Sequence, residues 1–134
     1  MALDMYAEEL IQNYEHPSNK RKMDNPSVSM GEENVSCGDV ITVYLKLNAG
    51  RIEDVSFDGS GCVISMGSAS MLTDSLKGKT LEQLEKMSYQ DLLKIISIEP
   101  GPARMHCATL GLRAFKKAAF AHEHKPMDAA TKEL

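Results

Sequence analysis

Apolar and polar positions alternate most clearly over Val40–Leu47 and again over Ile52–Phe57, with the turn-forming Asn48-Ala49-Gly50-Arg51 between them. A period of two marks strands with one buried face, and so short a connection predicts a β-hairpin and an antiparallel sheet. A third strand is predicted at Ser27–Met30, ended by a turn at Gly31-Glu32-Glu33-Asn34. Elsewhere the period is helical. Tyr6, Leu10 and Tyr14 form an i, i+4, i+8 stripe on a first helix, which packs it on the sheet or offers a face to another chain. A helix of small residues runs from Ser65 through Leu72 and stops at Gly78. Thr80–Met87 carries a short helix with Leu81 and Leu84 inward, and Ser88-Tyr89-Gln90-Asp91 reads as a capping box for a helix through Ile96. After the breaker Pro100-Gly101-Pro102, a last helix has Leu110, Phe115, Ala118 and Ala119 on its apolar stripe.

These elements predict an α+β fold, a three-stranded antiparallel sheet packed against four to six helices. The 134 residues, 43% of them hydrophobic and 25% charged, suit one domain over 1–134. About 1–25 is expected as a mobile or helical N-terminal segment and about 123–134 as a frayed tail. A net charge of -4, with one short basic cluster at Lys20-Arg21-Lys22, argues against nucleic acid as a partner. No apolar run approaches the roughly 20 residues that span a bilayer, and the first residues do not read as a signal peptide, so a cytoplasmic, reducing setting is expected.

In that setting three cysteines, Cys37, Cys62 and Cys107, point to free thiols, catalysis or metal ligation rather than to disulfides. Each alone could be a small buried hydrophobe. Together they sit at element boundaries: Cys37 in a loop before a strand, Cys62 after Gly59-Ser60-Gly61 and ahead of a helix, Cys107 in the first turns of another. A thiol at a helix start feels the positive end of the dipole and is expected to favour the thiolate. Three sulfurs leave a four-coordinate site one donor short, and the neighbouring Asp39 and His106 are both candidates. Asp39 has a simpler reading as the cap of an Asx-turn, and His106 as a surface residue at a helix end. Met66, Met71 and Met105 lie near the cysteines in sequence but read as packing. His122-Glu123-His124 is at most an incidental chelator.

Taken in order, Tyr6, Tyr14-Glu15-His16-Pro17-Ser18-Asn19, Cys37-Gly38-Asp39, Gly61-Cys62-Val63-Ile64-Ser65-Met66 and Ala103-Arg104-Met105-His106-Cys107 resemble the IscU, SufU and NifU N-terminal family of iron-sulfur cluster assembly scaffolds, over about residues 4–121. The resemblance implies a SufE/NifU-like fold with the cysteines at one tip, and Cys37, Asp39, Cys62 and Cys107 as ligands of a [2Fe-2S] cluster. His106 would be an alternate ligand. A carboxylate among thiolates would be the exchangeable ligand of such a cluster. It further implies a cysteine desulfurase as sulfur donor, a ferredoxin-like electron donor and recipient apo-proteins. The persulfide acceptor would be Cys107, as in IscU-like members, or Cys37, as in SufU-like ones. Tyr6 matches a tyrosine linked in such scaffolds to self-association and persulfide reduction, which makes a homo-oligomer an expectation.

The Gly61–Met71 run and Ala108-Thr109-Leu110 are similar to SufU, whereas the His106-Cys107 pair and the lack of an insertion before it are similar to IscU. Pro100-Gly101-Pro102-Ala103-Arg104 stands where IscU carries the Leu-Pro-Pro-Val-Lys stretch gripped by a chaperone, keeping the second proline and the basic residue. Arg104 would hold positive charge near the thiolates, or be a solvated charge. The primary reading is a non-enzymatic scaffold. The alternative is a zinc-dependent sulfur relay with zinc on the same ligands in the resting form, and a third is an interaction module with structural zinc.

Overall fold

A computed structural model describes the chain from Met5 to Leu134, with side chains from Glu8 onward except that of Ala103. The elements are α1 (Met5–Glu15), β1 (Val28–Asn34), β2 (Asp39–Asn48), β3 (Arg51–Ser60), α2 (Val63–Leu76), α3 (Leu81–Glu85), α4 (Tyr89–Ile96), a 3-10 turn at Pro102–Arg104, α5 (Met105–Ala108), α6 (Leu110–His122) and α7 (Ala129–Lys132). Three strands form an antiparallel meander in the order β1-β2-β3. The helical segments among the described residues number seven because the single turns α5 and α7 stand apart from α6.

The β2–β3 hairpin closes as its pattern predicts. Asn48 pairs with Arg51, and both loop residues have positive φ, 53° at Ala49 and 79° at Gly50, the mirror-image turn whose twist suits a hairpin. On β2 the inner face is Asp39, Ile41, Val43 and Leu45, all buried. Ile52, Val55 and Phe57 of β3 join them beneath α2 and α6. α2 is buried almost all round, and its small residues let other elements approach: Leu10 of α1 lies against Gly67, and Gly111 of α6 against Ala69. The capping boxes at Thr80 and Ser88 both form.

Four expectations need correction. β1 runs on through Gly31–Asn34, where a turn was expected. Glu32 is held from α6 by Arg113 and Lys117, a tertiary contact that overrides weak local strand preference. α1 packs along α2 rather than on the sheet, with Leu10 buried and Tyr14 41% exposed; the side chain of Tyr6 lies outside the described residues. The segment after His122 turns back to the body, with Asp128 capping α7 and Thr131 and Leu134 buried. Cys107 belongs to the one-turn α5, not to the long helix that follows.

Candidate metal centre

Cys37 sits on the four-residue loop joining β1 to β2, where the Cys37 and Gly38 amides both donate to the Asn34 carbonyl, at 3.2 and 2.9 Å. Gly38, at φ +73°, supplies the left-handed residue that returns the chain to β2. The loop leaves Cys37 exposed. Two residues on, Asp39 begins β2 on its inner face and is only 2% exposed. Its Oδ1 accepts the Cys62 amide at 3.1 Å, so the carboxylate bridges two loops instead of closing an Asx-turn. Gly61 is what permits this. A Cβ there would lie 2.5 Å from Ser65 Oγ and 2.7 Å from Asp39 Oδ1.

Cys62 is the N-cap of α2, its sulfur accepting the Ser65 amide at 3.4 Å and lying 3.5 Å from the Ser65 hydroxyl. Burial raises this thiol's pKa, but the Ser65 hydroxyl and the amides of Ser65 and Ile64 outweigh it against the repulsion of Asp39, and the net shift is downward. Cys107 is the opposite case, fully buried, with its sulfur 3.3 Å from that of Cys37 and 3.6 Å from Nδ2 of Asn34. Burial first, then the Cys37 and Cys62 sulfurs, push it up to about 12. The expected helix-start lowering of the thiol pKa is therefore found at Cys62 and not at Cys107, where a single turn has little dipole to set against burial. Arg104 closes the 3-10 turn beside Cys62, and the nearby Cys107 and Cys62 sulfurs raise the pKa of its guanidinium.

Ligand atoms of Cys37, Asp39 and Cys107 all lie within 4.8 Å of one another, and Cys62 Sγ is 3.9 Å from Asp39 Oδ2. Tetrahedral bonds of about 2.3 Å separate two sulfurs by roughly 3.8 Å, so a soft metal would spread the Cys37–Cys107 pair by only a few tenths of an ångström. The donor set thus fits a thiophilic metal. His106 is exposed and outside this group, its Nδ1 3.3 Å from the main-chain oxygen of Leu134. Among the described residues, His122, Glu123 and His124 form no such group. Asn34 and Ser65 were not foreseen as neighbours of the thiols; the Cys-x-x-Ser spacing, that of a capping box with sulfur as the cap, carried the signal for Ser65.

An α+β domain that brings three thiols and a carboxylate from separate segments into a group able to hold a metal defines the class. The chain belongs to the NifU-like N terminal domain family, whose model matches residues 5–129. It is 35% identical to the zinc-dependent sulfurtransferase SufU of Bacillus subtilis, over 89% of this chain and 92% of that one. To the iron-sulfur cluster assembly scaffold protein IscU of Azotobacter vinelandii it is 34% identical, over 90% and 95%. The fold matches the N-terminal part of a nitrogen-fixing NifU-like protein from Brucella abortus with a TM-score of 0.78, at 18% identity over 90% of this chain and 96% of that one. No helix among the described residues is long and apolar enough to cross a membrane.

Proposed function

We propose that this chain is a scaffold on which a [2Fe-2S] cluster is assembled and from which it is passed on. The observation that carries the reading is the approach of two thiols and a buried carboxylate to within 4.8 Å, with a third thiol beside the carboxylate. Cys37, Cys62 and Cys107 are the sulfur ligands, Asp39 is the exchangeable oxygen ligand and His106 its alternate. The cluster is cargo, so the centre must hold it and let it go, and one hard ligand among soft ones suits that task.

Sulfur arrives as a persulfide from a cysteine desulfurase. A thiolate here attacks the outer sulfur, forming a new S–S bond as the donor's breaks and the donor cysteine departs as thiolate. Cys107 is the acceptor by resemblance to IscU. Its burial and the exposure of Cys37 support Cys37 as the point of entry, with Cys107 3.3 Å behind it. Reducing the sulfur to sulfide takes two electrons, for which a ferredoxin-like donor is required, and apo-proteins receive the product. The setting is the cytoplasm, where thiols stay reduced.

The second reading, a zinc-dependent sulfur relay, draws on the 35% identity to a protein so named and on the same exposed Cys37. Anaerobic incubation with a cysteine desulfurase, cysteine, ferrous iron and a reductant separates the two. Iron and acid-labile sulfide in equal amounts, two of each per cluster, are the expected result. Retained zinc, no sulfide and a stimulated desulfurase would assign the chain to the relay. Persulfide mapping by mass spectrometry on Cys37→Ser and Cys107→Ser then identifies the entry thiol.

A further inference from the structure

Two hollows open beside the C-terminal half of α2 and meet at Ser75 and Ile95, which line both. One, of about 500 Å³, lies between α2, α3 and α4, with Lys79, Gln83, Lys86 and Met87 in its wall. The other, of about 310 Å³, lies between α1, α2 and α4, with Glu9, Met71 and Asp74 in its wall. Sharing two residues, they run on as one groove whose middle is apolar, formed by Met71, Met87 and Ile95.

The ends of the groove differ in the groups they leave free. At the wider end the acceptors are taken: Asp91, which also lines it, accepts from the amide and hydroxyl of Ser88, and Gln83 Oε1 accepts the Thr80 amide at 2.8 Å. Lys86 is paired with Glu82 at 2.7 Å. Lys79 has no ion pair among the described residues. With the spare NH2 group of Gln83 it leaves a cation and donors, which an anion satisfies. At the narrower end stand two carboxylates, Glu9 and Asp74, neither with a cationic partner among the described residues; Asp74 accepts from the neutral Asn19 amide at 3.0 Å. Where the hollows meet, the Ser75 hydroxyl is buried with no partner among the described residues, an orphan that a ligand or water relieves.

We propose that this groove is a binding site for a small dipolar chain, with a carboxylate beside Lys79 and Gln83, a methylene body over Met87 and Ile95, and an ammonium beside Asp74 and Glu9. Its volume is in the range of small-molecule sites. A ligand with one charge alone would leave the other end unanswered. Ser75 lies thirteen residues along α2 from Cys62, about 20 Å at 1.5 Å per residue. The site is therefore separate from the thiols and does not depend on what they hold.

The probe is 6-aminohexanoate, with hexanoate and hexylamine as chains that lack one charge, each titrated into the full chain and followed by proton–nitrogen NMR of the backbone amides. The amides of Ser75, Lys79 and Ile95 should shift with 6-aminohexanoate, and each singly charged chain should bind roughly fivefold more weakly. Lys79→Ala should make 6-aminohexanoate bind no better than hexylamine. Glu9→Gln combined with Asp74→Asn should make it bind no better than hexanoate. In both variants the spectrum away from the groove should stay as in the parent, which separates loss of the site from loss of the fold. Equal binding of all three chains to the parent, or shifts that miss Ser75 and Ile95, would overturn the proposal. So would the absence of any shift at about 10 mM, beyond which binding is too weak to count as a site.

Discussion

The two ends of the sheet are closed by different chemistry. At the far end, main-chain hydrogen bonds do the work: Leu81 donates to the Gly50 carbonyl at 3.0 Å, Ile52 to that of Lys79 at 2.8 Å and Gly78 to that of Ile52 at 2.9 Å, while Arg51 donates to Gly78 at 2.8 Å. At the cysteine tip the contacts are sulfur to sulfur at 3.3 Å and sulfur to carboxylate at 3.9 Å. Such sulfur contacts are weak, and gathering thiols around a buried carboxylate costs free energy unless a cation joins them. The far end is closed by bonds that stabilise the fold, whereas the contacts at the tip suit a metal ion.

The largest expected effect falls on the tip. Outer partners of a metal are worth about 10–100-fold, so Cys62→Ser, which removes a proposed ligand, should lower cluster yield by more than that while the thermal midpoint moves little. A large loss of stability in the metal-free variant would mean that Cys62 is a packing residue and would erase the contrast between the ends.

Next comes a pH dependence seated in the far half. Burial, with the hydrogen bond and charge of Glu123 and against the pull of Lys125, raises Glu85 from 4.5 to about 7. A folded pKa above the unfolded one means the native state binds the extra proton. The contribution to stability is therefore full below about pH 4.5 and lost as pH rises through 7. The same contact lowers Glu123 and offsets part of this, so the net change stays below the roughly 3 kcal/mol that about 1.4 kcal/mol per unit would give for Glu85 alone. Glu85→Gln should flatten the slope of urea-unfolding stability between pH 5 and 8 and make the chain more stable than the parent at pH 8. Parallel pH curves for the two proteins would refute this.

Two glycines sharpen the comparison at a smaller scale. A Cβ on Gly67 would lie 2.7 Å from the Leu10 carbonyl oxygen, a backbone atom that cannot give way cheaply. Gly67→Ala should therefore cost about 1–2 kcal/mol of stability, overpacking set against better helix propensity, with cluster binding retained. A Cβ on Gly61 would meet the ends of two side chains, Ser65 and Asp39, which can move. Gly61→Ala should spare the fold and loosen metal binding. Swapped outcomes, read by denaturation and cobalt titration, would reverse the assignment of the two positions.

Local signals carried much of this architecture. The hairpin was legible because Val40–Leu47 alternates and Gly50 tolerates positive φ, while Ala49 adopts it at a cost, and the α4 cap because Ser88 and Asp91 have box spacing. The inward position of Asp39 was legible too, since it shares parity with Ile41 and Val43. β1 beyond Met30 was hidden because Glu32 is fixed by partners some 80 residues away. The burial of Cys107 and the placing of His106 depend on α5 being a single turn and on the return of Leu134, which no local pattern encodes.

The central claim is that the tip holds a cluster through three sulfurs and lets it go through Asp39. The most direct test loads the parent chain and Asp39→Ala with cluster and follows transfer to an apo-ferredoxin by circular dichroism. Slower transfer and a longer-lived cluster in Asp39→Ala are the predicted result; equal transfer rates would contradict it.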